Sequence, residues 1–206
     1  MTDYKTIRGK KIKTFATDLS DATSSEGQIF YSDTDKEYKV TVAGAAWHAS
    51  SNMSTARYGN SGSGTQTAAL SSGGNVGPSD TRTTAVEEYN GTGFSAGGAL
   101  PTATRSAAAA GTQTATIFAG GYDTANTAEC YTYDGSSWTG IPALNTARRS
   151  LDQHAAGTST AALVAGGYVE PAQSNTSEEY NGSSWSEGDN LNTARSQSAA
   201  GGIQTA

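Results

Sequence analysis

The sequence predicts an all-β chain built from repeated small antiparallel sheets. Three observations lead there: large aliphatic residues are scarce, Asn-Gly and Asp-Gly turn signals punctuate the chain, and one phrase recurs along it. Of 206 residues, 23 are Leu, Ile, Val or Phe, against 33 Ala. A Leu-rich helical core cannot be made from that list, and a fraction so low raises the question of disorder. The net charge of −6 is too small to hold a chain of this length open by self-repulsion. Ten Tyr and three Trp supply compact area to bury. Small residues in quantity suit β-architectures whose interiors alternate small and large side chains.

The first 47 residues differ in kind from the rest. They carry seven bases and seven acids, whereas 48–206 carry six bases and twelve acids, and every lysine lies at or before Lys39. That shift places a module boundary near residue 47, giving an N-terminal module over 1–47 and a repeat region over 48–206. Within the module, EGQIFYSDTDKEYKVTV predicts a β-hairpin, with Ile29 and Tyr31 alternating on one side of a polar turn and Tyr38, Val40 and Val42 on the other. The bases Lys5, Arg8, Lys10, Lys11 and Lys13 read as a solvated face or docking tail before they read as a DNA-binding arm. The acidic remainder disfavours nucleic-acid backbones, which need Lys and Arg to neutralise phosphates.

From residue 48 the chain repeats. L-x-T-A-R occurs at Leu144–Arg148 and Leu191–Arg195, as MSTAR at Met53–Arg57, and one residue longer as LPTATR at Leu100–Arg105. Arg57, Arg105, Arg148 and Arg195 are thus 48, 43 and 47 positions apart. Small-residue segments follow, each expected to be a strand ending in a glycine pair: Gly73-Gly74, Gly120-Gly121 and Gly166-Gly167. Next come EEYNGTGF, YTYDGSSW and EEYNGSSW, each closing on an aromatic (Phe94, Trp138, Trp185) after an Asn-Gly or Asp-Gly turn. Tyrosine to aromatic is always five residues, and aromatic to the next leucine always six. Fixed steps are tight hairpins; variable ones are loops. A period of this length with four strand-sized pieces is that of a β-propeller blade.

These residues read as structural. The glycine pairs allow positive φ or close backbone approach. Phe94, Trp138 and Trp185 fill the space between neighbouring blades, with Trp47 in register six residues before Met53. An arginine at one place in every blade is better explained by packing and bonds to carbonyls than by a ligand. Glu87 and Glu88 are consecutive in a strand and face opposite ways, so they are not a catalytic pair. The innermost strands converge, which suits Thr, Ala and Gly. Three full units and two fragments are present. Two arrangements fit: a piece of a longer array, which the stop at GGIQTA favours, or a fourth blade completed by the N-terminal hairpin.

The grammar of Gly-Gly, Tyr-Asn/Asp-Gly and Trp six residues before L-x-T-A-R is similar to the Kelch repeat. Its wording resembles Kelch-like arrays in tail-fibre and other virion proteins of bacteriophages, especially those of marine hosts, and YKTIRG with the hairpin resembles the module that precedes such arrays. The resemblance covers 48–206 and implies a non-enzymatic virion structural protein, a tail fibre or similar appendage. Residues 1–47 would then dock on other virion proteins or trimerise. Loops after the glycine pairs, with Tyr122, Asp123, Tyr168 and Glu170, would meet a host-surface glycan or receptor. A cellular Kelch-like protein-interaction scaffold is the alternative, and a propeller glycosidase a distant third.

Other classes fall away. No run of about 18 apolar residues is present for a membrane helix, and no apolar stretch follows the basic N-terminus as in a signal peptide, so synthesis in the host cytoplasm is expected. Cys130 alone forms no internal disulfide, and His48 and His154 have no neighbours at metal-ligand spacing. No nucleophile, P-loop or zinc-protease motif occurs. In YDGSSW, Asp134 and Gly135 are adjacent, unlike the Asp-box of sialidases, which separates them. No catalytic residue, metal or cofactor is expected.

Overall fold

The computed structural model describes residues 6–7, 10–11, 14–15, 29–32, 36–40, 50–151 and 155–204. All regular structure among them is β. The chain divides into two compact units, 1–49 and 50–206.

In the first unit, Thr6–Ile7 pairs antiparallel with Lys10–Lys11. Ile29–Ser32 and Glu37–Val40 form the hairpin read from the sequence, with Ile29 opposite Val40 and Tyr31 opposite Tyr38. Thr14–Phe15 adds to it in parallel through Thr14 and Tyr31. Trp47, Lys5, Arg8, Lys13 and Val42 lie outside the described residues.

The second unit holds three four-stranded antiparallel meanders. Sheet I comprises Ser61–Thr65, Ala68–Ser72, Val86–Tyr89 and Phe94–Ala96. Sheet II comprises Ala108–Thr112, Ala115–Ala119, Cys130–Tyr133 and Trp138–Ile141. Sheet III comprises Ala155–Gly157, Ala162–Ala165, Ser177–Tyr180 and Trp185–Glu187. The first strands lie side by side, Ala108–Thr112 packing against both Ser61–Thr65 and Ala155–Gly157. Close approach there requires small residues, and Ala108, Ala109 and Ala110 are buried. One expectation changes: GTQTAAL is not a single strand. Its Gln66 and Thr67 make the turn between the first two strands, as Gln113 and Thr114 do in sheet II. Gly64 and Gly111 just before these turns take φ of 100° and 112°, and a Cβ on either would stand 2.2 Å from a backbone oxygen across the hairpin.

The last hairpin of each sheet closes identically. Tyr89 pairs with Phe94, Tyr133 with Trp138 and Tyr180 with Trp185, their rings tilted at centroid distances of 4.9, 4.8 and 5.1 Å. The Asn or Asp that opens the turn accepts two backbone N–H groups in every copy. Asp134 Oδ1 takes those of Ser136 and Ser137, both at 2.8 Å, and its carboxyl is held down at about 2 chiefly by the Ser137 amide.

Large side chains sit between sheets. Leu70, Val86 and Leu100 meet Phe118 and Tyr133 between sheets I and II; Ile117, Cys130 and Leu144 meet Val164, Tyr180 and Trp185 between sheets II and III. The 15 Leu, Ile, Val and Phe residues of this unit therefore suffice, because they are shared between layers that separate neighbouring sheets.

Candidate functional site

Two sets of polar side chains emerge, one buried and one open to solvent. The buried set is an arginine clasp. Arg148, fully buried, leaves the segment after sheet II and enters sheet III. Its Nη1 donates to the carbonyls of Gly166 (2.9 Å) and Thr176 (3.0 Å), and its Nη2 to Glu178 Oε1 (2.9 Å). Glu178 also accepts the backbone N–H groups of Asn145 and Thr146. Arg57 repeats this with the carbonyls of Gly73 and Ala85 and with Glu87, which accepts the Ser54 N–H. Burial raises the Glu87 carboxyl, but the Ser54 bonds and the Arg57 charge outweigh it and hold the carboxyl below its ordinary 4.5. Glu88, next in the strand, faces the other way and accepts from Tyr133 Oη of sheet II at 2.6 Å.

The clasp corrects the repeat alignment. Gly74, Gly121 and Gly167 donate their N–H groups to the carbonyls of Thr104, Arg148 and Arg195 in turn. Thr104, not Arg105, therefore stands at the clasp position. Left-handed residues two further on confirm the phase: Gly59, Ser106, Ser150 and Gln197 have φ of 62°, 55°, 56° and 55°. In sheet II the strand position of Glu87 and Glu178 holds Tyr131. Arginine and glutamate have thus been replaced together, leaving Thr104 and Tyr131 with no lone buried charge. Arg195 has the clasp's place without its surroundings. It is exposed, and among the described residues its side chain bonds to the Thr193 carbonyl alone, at 3.3 Å.

The glycine pairs sit where the clasp closes. All six residues have φ between 65° and 107°. A Cβ on Gly73 would lie 2.3 Å from the Thr104 oxygen, and one on Gly120 would lie 2.8 Å from the Arg148 oxygen. Trp138 and Trp185 bridge sheets, their indole N–H groups donating to the carbonyls of Gly98 (2.8 Å) and Pro142 (3.1 Å) in the segments that leave the preceding sheets. Phe94 stacks on Tyr89 and has no donor for such a bond.

The open set gathers where the loops after the glycine pairs meet the residues that follow the clasp. Arg105 bridges to Tyr122, and Arg149 to Tyr168, in the same antiparallel fashion. The guanidinium carbons of Arg105, Arg149 and Arg82 lie 4.9, 5.1 and 5.6 Å from the Tyr122 ring centroid, and Arg149 also lies 4.5 Å from that of Tyr168. Asp80 stands 3.4 Å from Arg82 and 3.3 Å from Arg105; Glu170 stands 3.6 Å from Arg149. Asn126 links two loops, accepting from Arg149 Nη1 (2.9 Å) and donating to the Tyr168 carbonyl (3.0 Å).

Tyr122, Tyr168 and Glu170, chosen from sequence as loop residues, are thus brought together. Asp123 is directed elsewhere: its Oδ1 accepts from the N–H groups of Ala125 and Thr124 inside its own turn, which lowers its carboxyl. Arg82, Arg149, Asp80 and Asn126 were missed. The available signal was the doublet Arg148-Arg149, since consecutive extended residues face opposite ways, one to the clasp and one to solvent. Burial pushes the Cys130 thiol up to about 12, which leaves it inert at neutral pH. Among the described residues, no three His, Cys, Asp or Glu side chains are placed to hold a metal, and no helix is long and apolar enough to cross a membrane. No family model and no curated protein sequence matches this chain.

Proposed function

We propose that this chain is a non-enzymatic structural protein of a virus particle, a tail fibre or similar appendage, whose three sheets are Kelch-like propeller blades. In this reading, residues 1–47 dock on other virion proteins or hold a trimer together, and the loops around Tyr122 present a surface to a host-cell glycan. One observation carries it: the residues that recur in each unit are consumed in joining sheets, whereas Arg82, Arg105, Tyr122, Arg149 and Tyr168 come from connecting segments and converge where solvent reaches them. A rigid scaffold with its chemistry in loops is the division of labour of a binding protein. Side-by-side first strands with large side chains between sheets are what neighbouring blades would show.

The test is made on particles. The protein is expected in purified virions, and virions lacking it are expected to adsorb poorly to host cells. Its absence from particles overturns the structural reading. Normal adsorption without it overturns the receptor role alone.

A further inference from the structure

We infer that the Tyr122 cluster is an oxyanion site for an acidic saccharide, one bearing carboxylate or sulfate groups; this rests on the binding role proposed above and specifies its ligand. The repeat region carries twelve acids against six arginines, so bases are scarce. Arg57 and Arg148 are buried in clasps, and the exposed Arg195 bonds through its side chain to the Thr193 carbonyl. The remaining three converge on one tyrosine ring.

Their hydrogen-bonding capacity is only partly used. Arg82 faces Asp80 through Nη1, Arg105 faces it through Nε, and Arg149 uses Nη1 for Asn126 and Glu170. Among the described residues, Nη2 of all three has no bonding partner. The arginine side chains are 25, 27 and 28% exposed, enough to be reached, while Asp80 and Glu170 are 51 and 67% exposed. Asp80 bridges Arg82 and Arg105 and is steadied by Asn75 Nδ2 at 2.5 Å, which demonstrates that an oxyanion fits between these guanidinium groups. Glu170 is more loosely held, 3.6 Å from Arg149 on the solvent side, and an incoming oxyanion can displace it.

The geometry also decides what kind of contact is made. Tyr122 has guanidinium groups over it at 4.9 to 5.6 Å, so its ring orients arginines instead of offering a bare face for a neutral sugar to stack on. Guanidinium edges held in this way match carboxylate and sulfate oxygens. A saccharide with oxyanions presents its hydroxyls to the rest of the acidic surface and meets Asn126 nearby.

The full chain is titrated by calorimetry with polygalacturonate, dextran sulfate, neutral dextran and polyglutamate. Binding of one or both acidic polysaccharides is expected, weakening as salt rises, with no response to dextran and a much weaker one to polyglutamate. Arg105→Gln and Arg149→Gln are each expected to weaken binding about tenfold, the loss of one charge-assisted contact. Glu170→Gln, on an exposed group that the fold does not need, is expected to tighten it severalfold. Equal binding of dextran or polyglutamate overturns the saccharide oxyanion class, and so does a Glu170→Gln variant that binds no more tightly. Should the acidic saccharides fail to bind while virions still need the protein to adsorb, this inference falls and the receptor role stands. Should they bind while adsorption is normal without the protein, the receptor role falls and the site stands.

Discussion

Replacing Arg148 with Thr, the residue its counterpart Thr104 already is, isolates what a clasp contributes. Arg148 and Glu178 both have side chains 1% exposed, so the substitution leaves a buried carboxylate with its counter-charge removed. It also strips donors from the carbonyls of Gly166 and Thr176, bonded at 2.9 and 3.0 Å. Breaking one side of a buried ion pair costs about 3–5 kcal/mol, and unsatisfied carbonyls favour the upper half of that range. The N–H groups of Asn145 and Thr146 still hold the carboxylate and moderate the loss. The double variant Arg148→Thr, Glu178→Tyr reproduces the Thr104 and Tyr131 pair of sheet II and removes the orphaned charge. It is expected to recover about 2 kcal/mol, within the range of coupling energies between contacting residues. Urea unfolding followed by tryptophan fluorescence measures both, since Trp185 lies in the same interface. A single variant costing under about 1 kcal/mol, or a double variant no better than the sum of its parts, refutes the argument that the pair was exchanged as a unit.

Arg195→Ala is expected to change stability by less than about 0.5 kcal/mol, since its guanidinium is exposed; the same urea assay reads the contrast with Arg148. Gly121→Ala forces a φ of 107° on a residue with a Cβ that would meet Thr104 Cγ2 at 2.6 Å and the Arg105 oxygen at 2.8 Å, so a loss of at least about 2 kcal/mol is expected in thermal unfolding. Glu87 has its carboxyl lowered from 4.5 in the fold, so its contribution is complete above that pH and is lost as pH falls below it; urea midpoints measured down through this window are expected to decline less steeply in Glu87→Gln. Cys130, buried and with its thiol raised to about 12, is expected to react with iodoacetamide at the rate of unfolding, and burst labelling of the native protein contradicts its placement.

The all-β class, the hairpin over 29–40 and the three four-stranded sheets were legible because each rests on local chemistry: alternation, Asn/Asp-Gly turns and steps of five and six residues. The boundary inside GTQTAAL was not. A two-residue turn of Gln and Thr carries none of the usual turn residues, and the signal lay two positions earlier, in the left-handed Gly64 and Gly111. Arg105 was misplaced because the eye follows the arginine in LPTATR. Counting from Leu100 puts Thr104 at the fifth position, as Arg148 is from Leu144, and the carbonyl that Gly74 reaches is that of Thr104. The Tyr122 cluster was legible in part. Tyr122, Tyr168 and Glu170 follow the glycine pairs, but Arg82, Arg105 and Arg149 come from separate segments whose convergence depends on how the sheets pack.

That packing explains why the two arginine sets behave so differently. Arg148 and Arg149 are neighbours in an extended segment, so one side chain must enter the sheet interface and the other must leave it. The inward position is constrained by burial: it accepts arginine only with a glutamate across the interface, and otherwise a neutral pair such as Thr104 and Tyr131. The outward position has no such demand. It holds Tyr58, Arg105 and Arg149 in successive units, and its partner after the glycine pair is Asn75, Tyr122 and Tyr168. Among the described residues, cation–π contacts arise only where arginine and tyrosine both occur, in the second and third units, and Arg82 reaches the same ring from the first. A binding surface can therefore vary at the outward positions without disturbing the clasp one residue away. Exchanging Arg149 for Gln tests this separation directly: ligand affinity is expected to fall about tenfold while the urea midpoint of the Arg148 interface stays within error.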